Sequence, residues 1–367
     1  MRGEAARAGS GHSGNNLDLV RFVAASLVLV SHSYTLTGRG GEPSLFAYET
    51  LGGLAVAVFF IISGFLVTAS WQRSPGLLAF VRNRALRIMP ALIGVVTLCA
   101  LVLGPVFSPL SLKEYYAHPQ TRDYFLNLTF AQLNYSLPAV FAHNPFPHVV
   151  NGSLWTLPIE VTMYAVLALL GVLRLVDRKV VTVLVIALAA IWFGLGPGRL
   201  DAMTPYLPAV LPAAPTAHLA LWFFSGSALW LWRDHIAYRT PVALALLALA
   251  WIVQGGSVGH AVLHVALPYA LLWFAQVDVR QLGAFGRHGD FSYGIYLYAF
   301  PVQQAFASVG AAAWPLPVYV AACFVVTLAC AVASWKLIEA PALRAKRRTN
   351  TSRAAAEALT TAKGGMP

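Results

Sequence analysis

The sequence predicts an all-α membrane protein: a polytopic bundle of about ten spanning helices with both termini cytoplasmic. Three observations carry that expectation. Hydrophobic residues make up 58% of the 367 and charged residues 11%, against the roughly 25% charge of a soluble domain; mean hydropathy is +0.66. Apolar runs recur along almost the whole chain, so lipid rather than water is the solvent for most of its surface. The segments between the runs alternate in Lys and Arg content, as they do when successive loops face opposite sides of a bilayer.

At about 20 residues per crossing, helices are expected near 17–36, 51–71, 89–107, 155–173, 180–195, 217–232, 241–254, 259–276, 291–309 and 315–337. The first follows a polar Gly/Ser-rich tail, 1–16, that lacks the apolar core and cleavage site of a signal peptide, so it reads as a retained helix. In the second, Ser63 and Gly64 are small enough for close helix contact. Pro90 is expected to start the third, with Arg82, Arg84 and Arg87 in the loop before it. The runs at 180–195 and 241–254 are short and need flanking residues to complete a span. One domain, 17–341, is expected, followed by a disordered basic tail over 342–367.

Orientation follows from the basic residues. One side collects Arg2 and Arg7, then Arg73 to Arg87, Arg174 to Lys179, Arg233 and Arg239, Arg280 and Arg287, and the tail; the other receives Arg39, Lys113, Arg122 and Arg199. The first side is the cytoplasmic one. On the outer side the long stretch 108–150, with Tyr115, Tyr116, Asn127, Asn134, His143 and His148, is either a lid or acceptor site or an ordinary connector. The net charge of +11 is scattered rather than gathered into an aromatic-interleaved patch, which argues against nucleic acid. Cys99, Cys323 and Cys330 lie inside apolar runs without metal-ligand spacing, and no metal is expected.

Ionisable groups inside spanning helices are costly and mark cavities or partners. The first helix carries Asp18, Arg21 and His32. Eleven residues separate Arg21 from His32, about 1100° of rotation, so they share one face about 16 Å apart. His32 can serve as general base towards a hydroxyl, or be a hydrogen-bonded core residue; Asp18, three residues from Arg21, reads most simply as its ion-pair partner. Arg82, Arg84 and Arg87 are topology anchors or a cradle for the phosphates of a nucleotide-bearing donor such as coenzyme A. In NGSLWTLPIEVTMY, Glu160 enters the apolar region with Tyr164 at i+4. It would orient an imidazole, bind an acceptor sugar or pair with a basic residue. Trp155 is an interfacial anchor or a sugar-stacking surface.

Six ordered segments, LDLVRFVAASLVLVSH, GGLAVAVFFIISGFLV, FVRNRALRIMP, NGSLWTLPIEVTMY, FSYGIYLYAFPVQQ and SWKLIEAPA, together resemble the acyltransferase 3 family of polytopic membrane acyltransferases that modify surface polysaccharides. The resemblance spans about 17–341. It implies that His32 and Arg21 are the essential pair, His32 as base and Arg21 as donor or intermediate stabiliser, with Glu160 in the family's Trp-x-x-x-x-Glu element. It places Arg82, Arg84, Arg87 and Ser63 on the donor side, and Asp18, Trp155, Tyr164 and Tyr293 near substrate. Where relatives commonly carry Trp-His after Tyr-Leu in a late helix, this chain has Tyr298-Ala299, which excludes a late catalytic histidine.

The expected activity is transfer of an acyl group, acetyl being the first choice, from cytoplasmic acyl-CoA to a hydroxyl of a surface carbohydrate or glycolipid, in a bacterial inner membrane. No cofactor is expected to be permanently bound. The alternative is a polytopic transporter or exporter of a glycolipid or small metabolite, against which stands the lack of paired half-sequences.

Overall fold

The computed structural model describes residues 16–47, 49–277, 285 and 289–344, and every structural statement below concerns those residues. The expectations for the two tails, Arg280 and Arg287 fall outside them. The chain is almost wholly helical: α1 (Leu17–Leu36), α2 (Leu51–Arg73), α3 (Leu77–Leu98), α4 (Gly104–Phe107), α5 (Leu112–Ala117), α6 (Pro119–Asp123), α7 (Thr156–Val172), α8 (Arg178–Asp201), α9 (Ala213–Leu231), α10 (Thr240–Ile252), α11 (Gly256–Gln276), α12 (Ser292–Ser308) and α13 (Leu316–Ser334). Two short antiparallel strands, β1 (Ser44–Phe46) and β2 (Glu49–Thr50), form a hairpin ahead of α2.

Each of the ten expected runs is a helix. Seven helical segments are long and apolar enough to cross a membrane: Leu17–Leu36, Leu51–Arg73, Leu77–Phe107, Gly152–Val172, Arg178–Asp201, Gly256–Gln276 and Leu316–Arg344. α9, α10 and α12 fall below that measure. α10 and α12 are short, at 13 and 17 residues, and α9 and α12 carry histidine, serine or glutamine where they are enclosed by other helices. Buried helices can afford polar positions that a lipid-facing helix cannot.

The third helix departs from expectation. It starts at Leu77, and Arg82, Arg84 and Arg87 lie on it rather than in a preceding loop, with Pro90 inside the helix instead of at its start. Phe80 and Ile88 are buried on one side of this amphipathic first half, so a helix forms where a purely apolar window sees a loop. The same helix passes into a π-helical stretch, Cys99–Leu103, and on into α4. There Tyr115 and Tyr116 donate to the carbonyls of Ala100 and Leu101, each at 2.9 Å. Gly104 makes room for this: a Cβ there would lie 1.8 Å from the Tyr115 hydroxyl.

The 180–195 run also proves longer, extending as α8 from an Asp177 cap to Asp201 across a kink at Gly196, whose φ is 72° and which precedes Pro197. At the centre, α2 and α9 pack backbone to backbone. A Cβ on Gly64 would sit 1.8 Å from the Phe223 carbonyl oxygen, and one on Gly226 2.0 Å from that of Ile61. The close packing expected of Gly64 is therefore met.

α1 lies against α2 and α12, α13 covers α12, and α8 and α11 flank α9. The stretch 108–150 is folded rather than open. It contains α5, α6 and a 3-10 turn over Tyr124–Thr129, buries Tyr115, Tyr124 and Asn127, and is tied to α12 through Asn144 Nδ2 and Gln304 Oε1 at 2.7 Å.

Candidate active site

Three polar groups occupy successive levels of the bundle interior. Arg21 and Arg87 both donate to Asp290 Oδ2, at 2.6 and 2.5 Å, so α1, α3 and the start of α12 meet at one carboxylate. Ser292 closes the other side of Asp290 through its hydroxyl and backbone N–H to Oδ1. Burial works to raise this carboxyl, but the guanidiniums of Arg21 and Arg87 win and hold it well below the usual carboxylate range. It is therefore ionised at any working pH. Arg21 thus meets an acid 269 residues away, while Asp18 lies in the first turn of the same helix as Arg21. Arg87 also lies over the Tyr293 ring, 5.7 Å from its centroid, and the Tyr293 hydroxyl donates to the Ile88 carbonyl.

The second group is Glu160 on α7. Tyr164 donates to it in a short hydrogen bond, and Ser63 of α2 donates at 3.3 Å. Arg84 sits over the Tyr164 ring at 5.8 Å, and its buried Nε has no hydrogen-bond partner among the described residues. Of the three arginines on α3, Arg84 and Arg87 are turned inward and Arg82 is exposed. Their positions explain this: residues 84 and 87 share a helix face and 82 does not. Trp155 ends the 3-10 turn before α7 and packs, half-buried, against the central core.

The third group is His32. Its Nδ1 is 2.7 Å from Glu42 Oε1, and the other oxygen of Glu42 accepts from Ser31 at 2.8 Å. Ser31 in turn accepts from the Gly52 N–H at the start of α2, at 2.9 Å. Gly52 is required here, because a Cβ would stand 2.7 Å from Glu42 Oε2. Burial pushes the Glu42 carboxyl up, yet the hydrogen bond and charge of His32, with help from Ser31 and Thr50, leave it below its ordinary value. An ionised carboxylate only accepts, so Nδ1 carries the proton and Nε2 keeps a lone pair. The Phe300 ring stands edge-on to the imidazole at 5.5 Å, and Phe146 from the 108–150 segment packs on Phe300 at 6.2 Å. Phe300 in turn fits against Gly152, where a Cβ would lie 2.6 Å from the ring. The His32 side chain stays about one-fifth accessible, at 20%.

Arg21 and His32 both turn towards the α12 side of α1, one to Asp290 and the other to Phe300, so the shared face read from their spacing is present. Two carboxylates of this polar interior were not legible as partners. Glu42 and Asp290 sit just outside the apolar runs, and nothing local marks them as partners of residues inside those runs. Glu160, one of whose expected roles was to orient an imidazole, is instead bonded to Tyr164 and Ser63; Glu42 does the orienting.

A histidine held by a carboxylate through one nitrogen, with a lone pair on the other, is the arrangement of a general base. The family model for the acyltransferase domain matches residues 15–336, nearly the whole chain. The chain belongs to the acyltransferase 3 family. It is 33% identical over 299 residues to the O-acetyl transferase of Shigella phage Sf6, covering 80% of this chain and 86% of that one. It is 31% identical over 370 residues to Nodulation protein 10 of Rhizobium leguminosarum bv. viciae, covering 91% and 94%. No solved structure matches the chain. This acyltransferase is therefore a helical membrane enzyme whose described polar interior is built from α1, α2, α3, α7 and α12.

Proposed function

We propose that this acyltransferase moves an acyl group, acetyl in the first instance, from cytoplasmic acyl-CoA to a hydroxyl of a surface carbohydrate or glycolipid, across a bacterial inner membrane. The reading rests on ten crossings with both ends cytoplasmic, which the alternation of Lys and Arg supports. The observation that carries the chemistry is the His32–Glu42 pair at 2.7 Å. On this topology it lies in the outer half of α1, where an acceptor sugar arrives, while Arg21 and Arg87 lie at the inner end, where coenzyme A is available.

His32 Nε2 takes the proton of the acceptor hydroxyl as its oxygen attacks the acyl carbonyl. The C–S bond then breaks, and the thiolate leaves as free coenzyme A after receiving that proton from His32. Glu42 stabilises the imidazolium formed between these steps and fixes the tautomer. Arg21 and His32 are about 16 Å apart along the helix, too far for both to touch one carbonyl. Arg21, Arg84 and Arg87 accordingly serve the donor: their guanidiniums offer forked hydrogen bonds to its phosphates and negative charge, and the extended pantetheine arm carries the thioester outward past Glu160 and Ser63. Arg82, exposed on the same helix, is the first cation the donor meets. Asp18, Trp155, Tyr164 and Tyr293 line the route.

The O-acetyl transferase name of the phage relative supports acetyl as the group and oxygen as the acceptor atom. The test is His32→Ala, assayed by mass spectrometry of surface glycans from cells carrying either form. The acyl mass should disappear while the protein remains at wild-type level in the membrane. Retained acylation by inserted His32→Ala protein removes His32 from the base role.

A further inference from the structure

A second histidine cluster lies apart from His32. His218 is on the first turns of α9, His260 and His264 are one helical turn apart at the start of α11, and Glu49 ends the hairpin before α2. One ring nitrogen of each histidine lies within 4.8 Å of the others. Glu49 Oε1 is 3.2 Å from His218 Nε2 and 3.3 Å from His260 Nε2. Around a zinc ion with bonds of about 2.0–2.1 Å, tetrahedral ligand atoms stand about 3.3 Å from one another. The two Glu49 edges are already close to that length, and the histidine nitrogens would have to draw together from within 4.8 Å.

Hydrogen bonding points the same way. His264 Nδ1 lies 2.9 Å from the His260 carbonyl, which only accepts, so Nδ1 holds the proton and Nε2 is bare. That Nε2 is buried without a hydrogen-bond partner among the described residues, on a side chain that is only 8% exposed. A metal-binding imidazole is commonly held this way, its far nitrogen donating to a backbone carbonyl. The indole N–H of Trp222 donates to His218 Nε2 at 3.1 Å, which marks that nitrogen as the unprotonated one; its single lone pair would leave the indole to bind a cation. Glu49 Oε1 stands 3.2 Å from this unprotonated nitrogen, so no proton on it bridges the two, and a cation could. Trp222 stacks on His264 at 3.8 Å and Trp192 on His218 at 4.3 Å, fixing the ring planes and walling the cluster.

We propose that His218, His260, His264 and Glu49 bind a divalent transition metal of the zinc class, joining the N-terminal ends of α2, α9 and α11. Three imidazoles and one carboxylate suit zinc better than magnesium or calcium, which favour oxygen-only shells. The site does not depend on the acyl-transfer mechanism, but it adjoins it. Glu49 packs over Gly53 as Glu42 packs over Gly52, so the two carboxylates share the first turn of α2. A metal on Glu49 would lock the hairpin that follows Glu42.

The test uses untagged full-length protein purified in detergent without chelators, with metal measured by plasma mass spectrometry and cobalt(II) uptake followed by absorption after chelator treatment. About one equivalent of zinc per chain is expected, with the visible bands of tetrahedral cobalt(II) on substitution and a melting temperature that falls with chelator and returns with zinc. His264→Asn and His218→Asn should drop zinc below a tenth of an equivalent, and His235→Ala, outside the cluster, should leave it unchanged. Wild-type protein that holds no zinc as purified and takes up neither zinc nor cobalt overturns the proposal, whatever the variants do. So does zinc that His264→Asn, folded by its melting curve, retains in full.

Discussion

Glu42→Gln isolates the role of the carboxylate behind His32 while keeping its size. In the resting protein the amide oxygen still accepts from Nδ1, so the ring keeps its tautomer and place. The difference arises when His32 takes the hydroxyl proton and becomes a cation. Two unit charges about 4 Å apart attract by about 4 kcal/mol at an effective dielectric of 20, and the amide dipole recovers part of that. A loss of about 2–4 kcal/mol in the transition state is a fall of roughly 30- to 1000-fold in rate at 1.36 kcal/mol per tenfold.

Because Glu42 touches neither substrate, the fall should appear in kcat, with the KM for acyl-CoA and for acceptor within about twofold of wild type. The assay is transfer of labelled acetyl from acetyl-CoA to acceptor glycan in reconstituted vesicles. A double variant, His32→Ala with Glu42→Gln, should be no slower than His32→Ala alone, since the carboxylate acts only through the ring. A folded Glu42→Gln enzyme with wild-type kcat, or a double variant whose losses simply multiply, would refute the pairing as a catalytic device.

The same carboxylate makes a pH prediction. Its folded value lies below the ordinary carboxyl value, so its contribution to stability is present above the ordinary value and is lost as pH falls through the folded one. The gap in melting temperature between wild type and Glu42→Gln should narrow as pH falls from about 5 to below about 4; a gap that persists unchanged below about pH 4 contradicts it. Asp290→Asn strands the guanidiniums of Arg21 and Arg87 beside each other. Removing one partner of a buried ion pair costs about 3–5 kcal/mol, so melting should drop by at least about 6 °C, and unchanged melting would show that the charges are solvated elsewhere. Gly64→Ala places a methyl 1.8 Å from the Phe223 carbonyl oxygen. It should force α2 and α9 apart at a cost above the ~1–3 kcal/mol of ordinary overpacking, read as loss of monodisperse protein on size-exclusion chromatography.

How much of this was legible in the sequence depended on whether the cause was local. The ten runs were, because hydrophobic length is a property of consecutive residues. The shared face of Arg21 and His32 was, because helix rotation fixes it. The start of α3 was not: its first three turns carry Arg82, Arg84 and Arg87, and a window scored on apolarity reads a charged amphipathic helix as loop. Nor were the partners of the two key cations and of His32. Asp290 is 269 residues from Arg21 in the chain, and Glu42 is one of several loop acids until the hairpin folds it back onto Ser31 and the α2 N-terminus. The histidine cluster was invisible for the same reason. Its three rings come from two helices, and no spacing in the chain joins His218 to His260.

What the fold adds to the motifs is a separation of charge by depth. On the proposed donor side the guanidiniums of Arg21, Arg84 and Arg87 stand among the carboxylates of Asp290, Glu160 and Glu339. Near His32 the picture differs: Glu42 and Glu49 crowd the first turn of α2, and their partners among the described residues are Ser31 and the rings of His32, His218 and His260. On the proposed function, a polyanionic donor finds guanidiniums in the first region and carboxylates in the second, whereas a neutral sugar hydroxyl meets no such barrier. If coenzyme A is the donor, as proposed, the carboxylates near His32 would oppose its passing through with its acyl group. Reversing that field at one point, with Glu42→Lys, should therefore cost more than Glu42→Gln by the same kcat measurement; equal losses would mean that only the hydrogen bond, and not the field, matters at that position.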